Sequence, residues 1–86
     1  MNYELRTTPK FERLFKKLPR EVQNKVTGMI SGLSDEPYRG KVLHGRLKGK
    51  FSLTVGDYRV IYEIRDTIVY LLVVGHRKKI YERGGK

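Results

Sequence analysis

The stretch Val55–Ile64, VGDYRVIYEI, decides the fold. Gly56-Asp57 separates two runs of alternating residues, Phe51–Val55 and Tyr58–Arg65. A glycine in the first of two loop positions suits a hairpin turn of type II′, so the runs read as antiparallel strands. That turn sets the pairing: Val55 faces Tyr58, Thr54 faces Arg59, Leu53 faces Val60 and Phe51 faces Tyr62. Side chains alternate across a strand, so Phe51, Leu53, Val55, Tyr58, Val60, Tyr62 and Ile64 share an apolar face. Ser52, Thr54, Arg59, Ile61 and Glu63 share the other. Arg59 therefore stands on the face turned away from the core. Three readings of it stay open: a solvated strand face, a surface ion pair with Glu63 or Asp57, or an anion site.

Outward on the C-terminal side, Asp66-Thr67 is a second turn and Ile68–Val74 an almost wholly apolar run, as expected of a strand covered on both faces. A two-residue turn there places Val74 beside Arg59 and Tyr70 beside Glu63, and continuing the strand points His76 to the Arg59 face. On the N-terminal side, alternation of Tyr3 and Leu5 predicts a first strand over about residues 2–7. Thr8-Pro9 is a helix start, with threonine as N-cap and proline in the first turn. Phe11, Leu14, Phe15 and Leu18 then line one helical face. Pro19 ends that helix and opens a second, striped by Val22, Val26, Met29, Ile30 and Leu33 and stopped by Ser34-Asp-Glu-Pro37. The expected fold is α+β: an αα-hairpin packed on a mainly antiparallel sheet of about four strands, in one domain over residues 1–86. Tyr38–Lys50 reads as a long basic loop, with Leu43 and Leu47 as anchors and at most one turn or a short edge strand.

Ile61, Ile68, Leu72 and Val74 fall on the face that the two helices do not cover. The C-terminal tail or an acidic partner segment is expected to cap part of it.

Nineteen Lys and Arg against nine Asp and Glu give the 86 residues a net charge of +10. On so small a domain this favours nucleic acid, an anionic surface or an acidic partner. A soluble, merely basic protein is the plainer reading of the same numbers. There is no cysteine, which excludes disulfides and cysteine metal sites and fits an intracellular protein. No apolar run reaches membrane-span length, and Met-Asn-Tyr-Glu-Leu lacks a signal-peptide core.

The chain contains no phosphate loop, no GxGxxG, no paired carboxylates at a useful spacing, and only two histidines, His44 and His76. RNA cleavage without a metal needs little: a base for the ribose 2′-hydroxyl, cations for the phosphorane and an acid for the leaving 5′-oxygen. Arg59, Arg77, His76 and Tyr81 are residue types that such a site uses. Each has a structural alternative. His76 at a strand end can simply hydrogen-bond the backbone, Tyr81 can pack on the sheet, Lys78 and Lys79 can keep the tail soluble, and Lys48 and Lys50 can blunt an edge strand.

The segments Leu43–Gly49 (L-x-G-x-L-x-G), Val55–Tyr62 (VGDYRVIY) and Gly75–Tyr81 (G-H-R-x-x-x-Y), behind two amphipathic helices, closely resemble the RelE/ParE superfamily of toxins, on the RelE side. The resemblance covers nearly the whole chain. It implies a cytoplasmic, metal-free and cofactor-free mRNA interferase that acts in the ribosomal A site and inhibits translation. It also implies a RelB-like antitoxin that blocks the toxin, with operator DNA bound only through the antitoxin complex. By the same resemblance Arg59 and Arg77 hold the scissile phosphate, Tyr81 stacks on or orients the base, and His76 is a proton-transfer candidate. Arg46, Lys48, Lys50, Lys78 and Lys79 would hold RNA backbone. Well-studied RelE enzymes carry two alternating lysines on the strand before the hairpin; here Ser52 and Thr54 stand there, and Lys48, Lys50 and His76 are the substitutes available. Two alternatives remain: a ParE-like, non-enzymatic inhibitor of DNA gyrase, and a basic binding module acting only through its antitoxin complex.

Overall fold

The computed structural model describes residues 2–80. Its strands are β1 (Glu4–Thr7), β2 (Lys41–Val42), β3 (Lys50–Val55), β4 (Tyr58–Arg65) and β5 (Ile68–His76). Two helices, α1 (Pro9–Lys16) and α2 (Arg20–Ser31), lie between β1 and β2. The sheet order is β1-β5-β4-β3-β2, with β1 parallel to β5 and every other pair antiparallel. The sheet is thus mixed and has five strands: the four longer ones expected, and β2, a two-residue edge strand in the segment read as a loop with at most one turn or a short edge strand.

The helix boundaries follow from their caps. The Thr8 hydroxyl accepts from the Phe11 amide at 3.3 Å, and Pro9 needs no partner for an N–H it lacks. Pro19 sits as the N-cap of α2 in extended backbone. Gln23 then closes the helix–helix turn, its side-chain amide donating to the carbonyls of Phe15 and Leu18, both at 3.1 Å. Those carbonyls are among the ones a helix C-terminus leaves without partners. Helix α1 packs on β5 and α2 on β3. Between helices and sheet lie Phe11, Val26, Leu33, Leu53, Val60, Tyr62, Val69, Leu71 and Val74. Each large apolar side chain withdrawn from water contributes about 1.5–3 kcal/mol.

The register of β3 on β4 matches the sequence expectation at every pair, from Phe51 opposite Tyr62 to Val55 opposite Tyr58. Gly56 has φ +60°, the left-handed conformation that the first position of this turn demands. Between β4 and β5 the outcome differs. Ile61 pairs with Val73 but Tyr62 pairs with Leu71, so Leu72 is an extra residue, a β-bulge. Beyond it every side chain of β5 changes face. Gly75, not Val74, lies beside Arg59, and His76 lies beside Tyr58. Val74 consequently joins the main core instead of the outer face.

On that outer face, Ile61 and Val73 are covered by Leu47 from the basic loop and by Ile80, with Leu43 and Leu72 alongside. The two loop leucines anchor as expected, and Ile80 supplies the expected cap from the C-terminal side.

Candidate active site

Cross-strand partners share a face, so the outer face near the β3–β4 turn can be built pair by pair. Thr54 is opposite Arg59, Arg59 is opposite Gly75, and Ser52 is opposite both Ile61 on β4 and Lys41 on β2. Gly75 contributes no side chain, which leaves space beside Arg59. The resulting cleft has a volume of about 590 Å³ and is lined by Lys41, Ser52, Thr54, Arg59, Arg77 and Lys78. Four of these are cations, two carry hydroxyls, and none is a carboxylate.

Arg59 is held by its own turn. Its Nη1 donates to the carbonyls of Gly56 at 3.2 Å and Tyr58 at 3.1 Å. Among the described residues no carboxylate is within ion-pair distance of it, and Glu63 pairs with Arg65 instead. The surface ion-pair reading of Arg59 is therefore excluded for the described residues. A guanidinium fixed by carbonyls and free of counter-charge is a preorganised site for an anion.

Arg77 and Lys78 enter the cleft from the turn after β5. The Arg77 amide donates to the Asp57 carbonyl at 2.8 Å, tying this turn to the β3–β4 hairpin. The Lys78 amide donates to Nδ1 of His76 at 3.2 Å, and the Lys79 amide to the His76 carbonyl at 2.9 Å. His76 is absent from the cleft lining and stands edge-on to the Tyr58 ring, centroids 5.5 Å apart. Its expected place on the Arg59 face is corrected by the bulge at Leu72, which turns it over. What it does in the structure is hold the backbone of the turn that carries Arg77 and Lys78.

Lys41 reaches the cleft from the edge strand β2. The buried Tyr62 hydroxyl donates to the Pro37 carbonyl at 2.8 Å and accepts from the Gly40 amide at 2.9 Å, so the chain is pinned just before Lys41. Burial raises the Tyr62 pKa and the Gly40 amide partly offsets the rise. Gly40 passes so close that a Cβ there would meet the Tyr62 hydroxyl at 2.6 Å and the Ser52 carbonyl at 3.0 Å.

The cleft thus brings together Arg59, Arg77 and Lys78 of the residues expected from sequence. Arg46, Lys48, Lys50 and Lys79 lie outside its lining; Lys50 shares the face, opposite Glu63. Tyr81 lies outside the described residues. Lys41 was not expected. Its signal was faint: a β-prone valine after it, inside a segment otherwise read as loop. Among the described residues no group of three or more His, Asp or Glu side chains could hold a metal ion, and no helix is long and apolar enough to cross a membrane.

The profile of the ParE toxin of type II toxin–antitoxin system, parDE, matches residues 5–81. The chain is 42% identical to Toxin RelG of Mycobacterium tuberculosis over 87 residues, covering 96% of this chain and 100% of that protein. Among solved structures it is similar to a chain of the M. tuberculosis RelBE2 toxin–antitoxin complex, with TM-score 0.83, 41% identity, and 90% of this chain and 100% of that chain covered. A chain of the archaeal RelE–RelB complex from Pyrococcus horikoshii matches with TM-score 0.76 and 23% identity, over 90% of this chain and 97% of that one. At that identity the likeness speaks for the fold.

Proposed function

The chain belongs to the RelE/ParE toxin family of type II toxin–antitoxin systems, and on that premise we propose that it is a ribosome-dependent endoribonuclease that cuts mRNA. One observation carries the reading: a cleft with four cations, two hydroxyls and no carboxylate, built on a sheet face that the fold could have left plain. Such a cleft suits a phosphodiester. In the proposed reaction the ribose 2′-oxygen attacks the adjacent phosphorus and the bond to the 5′-oxygen breaks. A 2′,3′-cyclic phosphate and a 5′-hydroxyl result. The proton lost by the 2′-hydroxyl balances the one gained by the leaving oxygen, with water as carrier. Arg59 and Arg77 hold the non-bridging oxygens, whose charge grows in the transition state. Tyr81 is proposed to stack on the base at the cut, and Lys78 to hold the neighbouring backbone. Arg46, Lys48, Lys50 and Lys79 are proposed as contacts to more distant phosphates. His76 acts in this reading as a positioning residue for the Arg77 turn.

The relatives of M. tuberculosis and P. horikoshii are solved as complexes of a RelE-type toxin with its antitoxin. We propose a RelB-like antitoxin for this chain too, acidic to match a net charge of +10, and a cytoplasmic site of action with the ribosome. The test is mRNA cleavage on programmed ribosomes. Arg59→Ala is expected to lose about 10²–10³ in rate, as for removal of one preorganised charge stabiliser. Wild-type protein that leaves the message intact overturns the endonuclease reading. The match to a ParE toxin family keeps a second reading, a ParE-like, non-enzymatic inhibitor of DNA gyrase. Inhibition of DNA supercoiling by the purified toxin would decide for it.

A further inference from the structure

We propose that Lys41 is the charge stabiliser of the cleft's β2–β3 wall, an inference that rests on the endonuclease reading. The cleft lining divides by strand into two sides. One, formed by β4 and the turn after β5, carries Arg59, Arg77 and Lys78; the other carries Lys41, Ser52 and Thr54. On that second side β3 offers hydroxyls only, which hydrogen-bond but carry no charge. Lys41 stands directly opposite Ser52 on the neighbouring strand, so its side chain rises on the same face, above the position where the strand itself has no cation.

The placement is built rather than incidental. Strand β2 has two residues, too few to hold a register alone. Its start is fixed by the Tyr62 hydroxyl, bonded on both sides to Pro37 and Gly40, and by the close passage of Gly40 over the Ser52 carbonyl. Among the described residues no carboxylate is within ion-pair distance of Lys41. Its ammonium is therefore available to a substrate. A phosphodiester lying in the cleft meets cations from both sides. As the 2′-oxygen bonds to phosphorus and the 5′-oxygen departs, Lys41 neutralises the growing charge on the oxygen turned away from Arg59. It keeps its protons throughout.

The experiment is single-turnover mRNA cleavage on programmed ribosomes with wild type, Lys41→Gln, Lys41→Arg, and Lys25→Gln on α2 as a charge-matched control. The rate constant at saturating ribosomes is expected to fall about 10²-fold in Lys41→Gln, with the half-saturating concentration within about threefold. Lys41→Arg is expected to recover to within about tenfold of wild type, because the charge returns with a different geometry. Lys25→Gln should match wild type. Because Lys41 is exposed, the unfolding midpoint of Lys41→Gln should also match, which separates a chemical loss from a folding loss. Cleavage by Lys41→Gln at the wild-type rate constant overturns the role of Lys41 and leaves the endonuclease reading standing. So does an effect confined to half-saturation. A wild-type protein that does not cleave overturns both.

Discussion

Tyr62 does two jobs from one position. Its ring is fully buried in the core and stacks on Phe51, centroids 5.3 Å apart. Its hydroxyl holds the chain at Pro37 and Gly40 and so delivers Lys41. Tyr62→Phe keeps the ring but takes the partner from a buried carbonyl and a part-buried amide, at a cost of about 1–3 kcal/mol. Urea unfolding should show this as a lower midpoint. The same hydroxyl makes stability pH-dependent. Burial raises its folded pKa above the unfolded value, which is about 10. Between the two values the unfolded chain binds fewer protons than the folded one. The contribution is therefore complete below about pH 10 and is lost as pH rises through the folded pKa. Wild type should lose stability more steeply above pH 10 than Tyr62→Phe; parallel curves would refute the assignment. Gly40→Ala attacks the same contact from the other side. Its Cβ would stand 2.6 Å from the Tyr62 hydroxyl, so one must move. Overpacking of this kind costs about 1–3 kcal/mol, and cleavage should fall with stability as Lys41 is displaced.

At the scale of elements, the bulge in β5 decides which residues share the cleft. The Thr8 hydroxyl donates to the carbonyls of Leu71 at 2.9 Å and Leu72 at 3.4 Å, where the parallel pairing with β1 ends at Thr7. The same oxygen caps α1. Thr8→Val keeps the shape and loses both functions. The expected destabilisation is about 1–2 kcal/mol, read as a lower urea midpoint at constant m-value, with Thr8→Ser close to wild type. Thr8 also explains which parts of the structure were legible in the sequence. The β3–β4 register was readable because a glycine-first, two-residue turn admits one pairing, and both strands alternate clearly. The helices were readable from Thr8-Pro9, from Pro19 and from their apolar stripes. The second half of β5 was not. Its run from Val69 to Val74 is apolar on both faces, so no alternation marks the extra residue, and the hydroxyl beside it is 64 positions away in the chain. That one unreadable residue moved Val74 into the core and His76 out of the site. The place of Arg59 in the cleft was readable because it depends only on the legible hairpin, whereas that of Lys41 depends on a loop pinned from another strand.

At the scale of the whole molecule, a net charge of +10 sets how the toxin meets its target. Scattered surface lysines act through solvent and are screened over about 8–10 Å at physiological salt. The four cleft cations differ, because they converge on one volume with no carboxylate in its lining. Binding of a short single-stranded RNA with 2′-deoxyribose at the cut, which cannot be cleaved, isolates this contribution. Its association constant should fall linearly with salt on logarithmic axes, by about 0.7 per phosphate neutralised. Four cleft cations alone then give a slope of about −2.8, and the outer lysines steepen it further. Arg77→Gln should shallow the slope by about 0.7 and weaken binding to all sequences alike. The reason is the lining: Arg77, placed by a backbone bond to the hairpin, shares the cleft with three other cations, and the proposal gives it a phosphate contact and no base contact. Fluorescence anisotropy over a potassium chloride series measures both quantities. A complex indifferent to salt would remove phosphate contacts from the cleft. A slope unchanged by Arg77→Gln would remove Arg77 from them and leave Arg59 and Lys41 as its anion-binding pair.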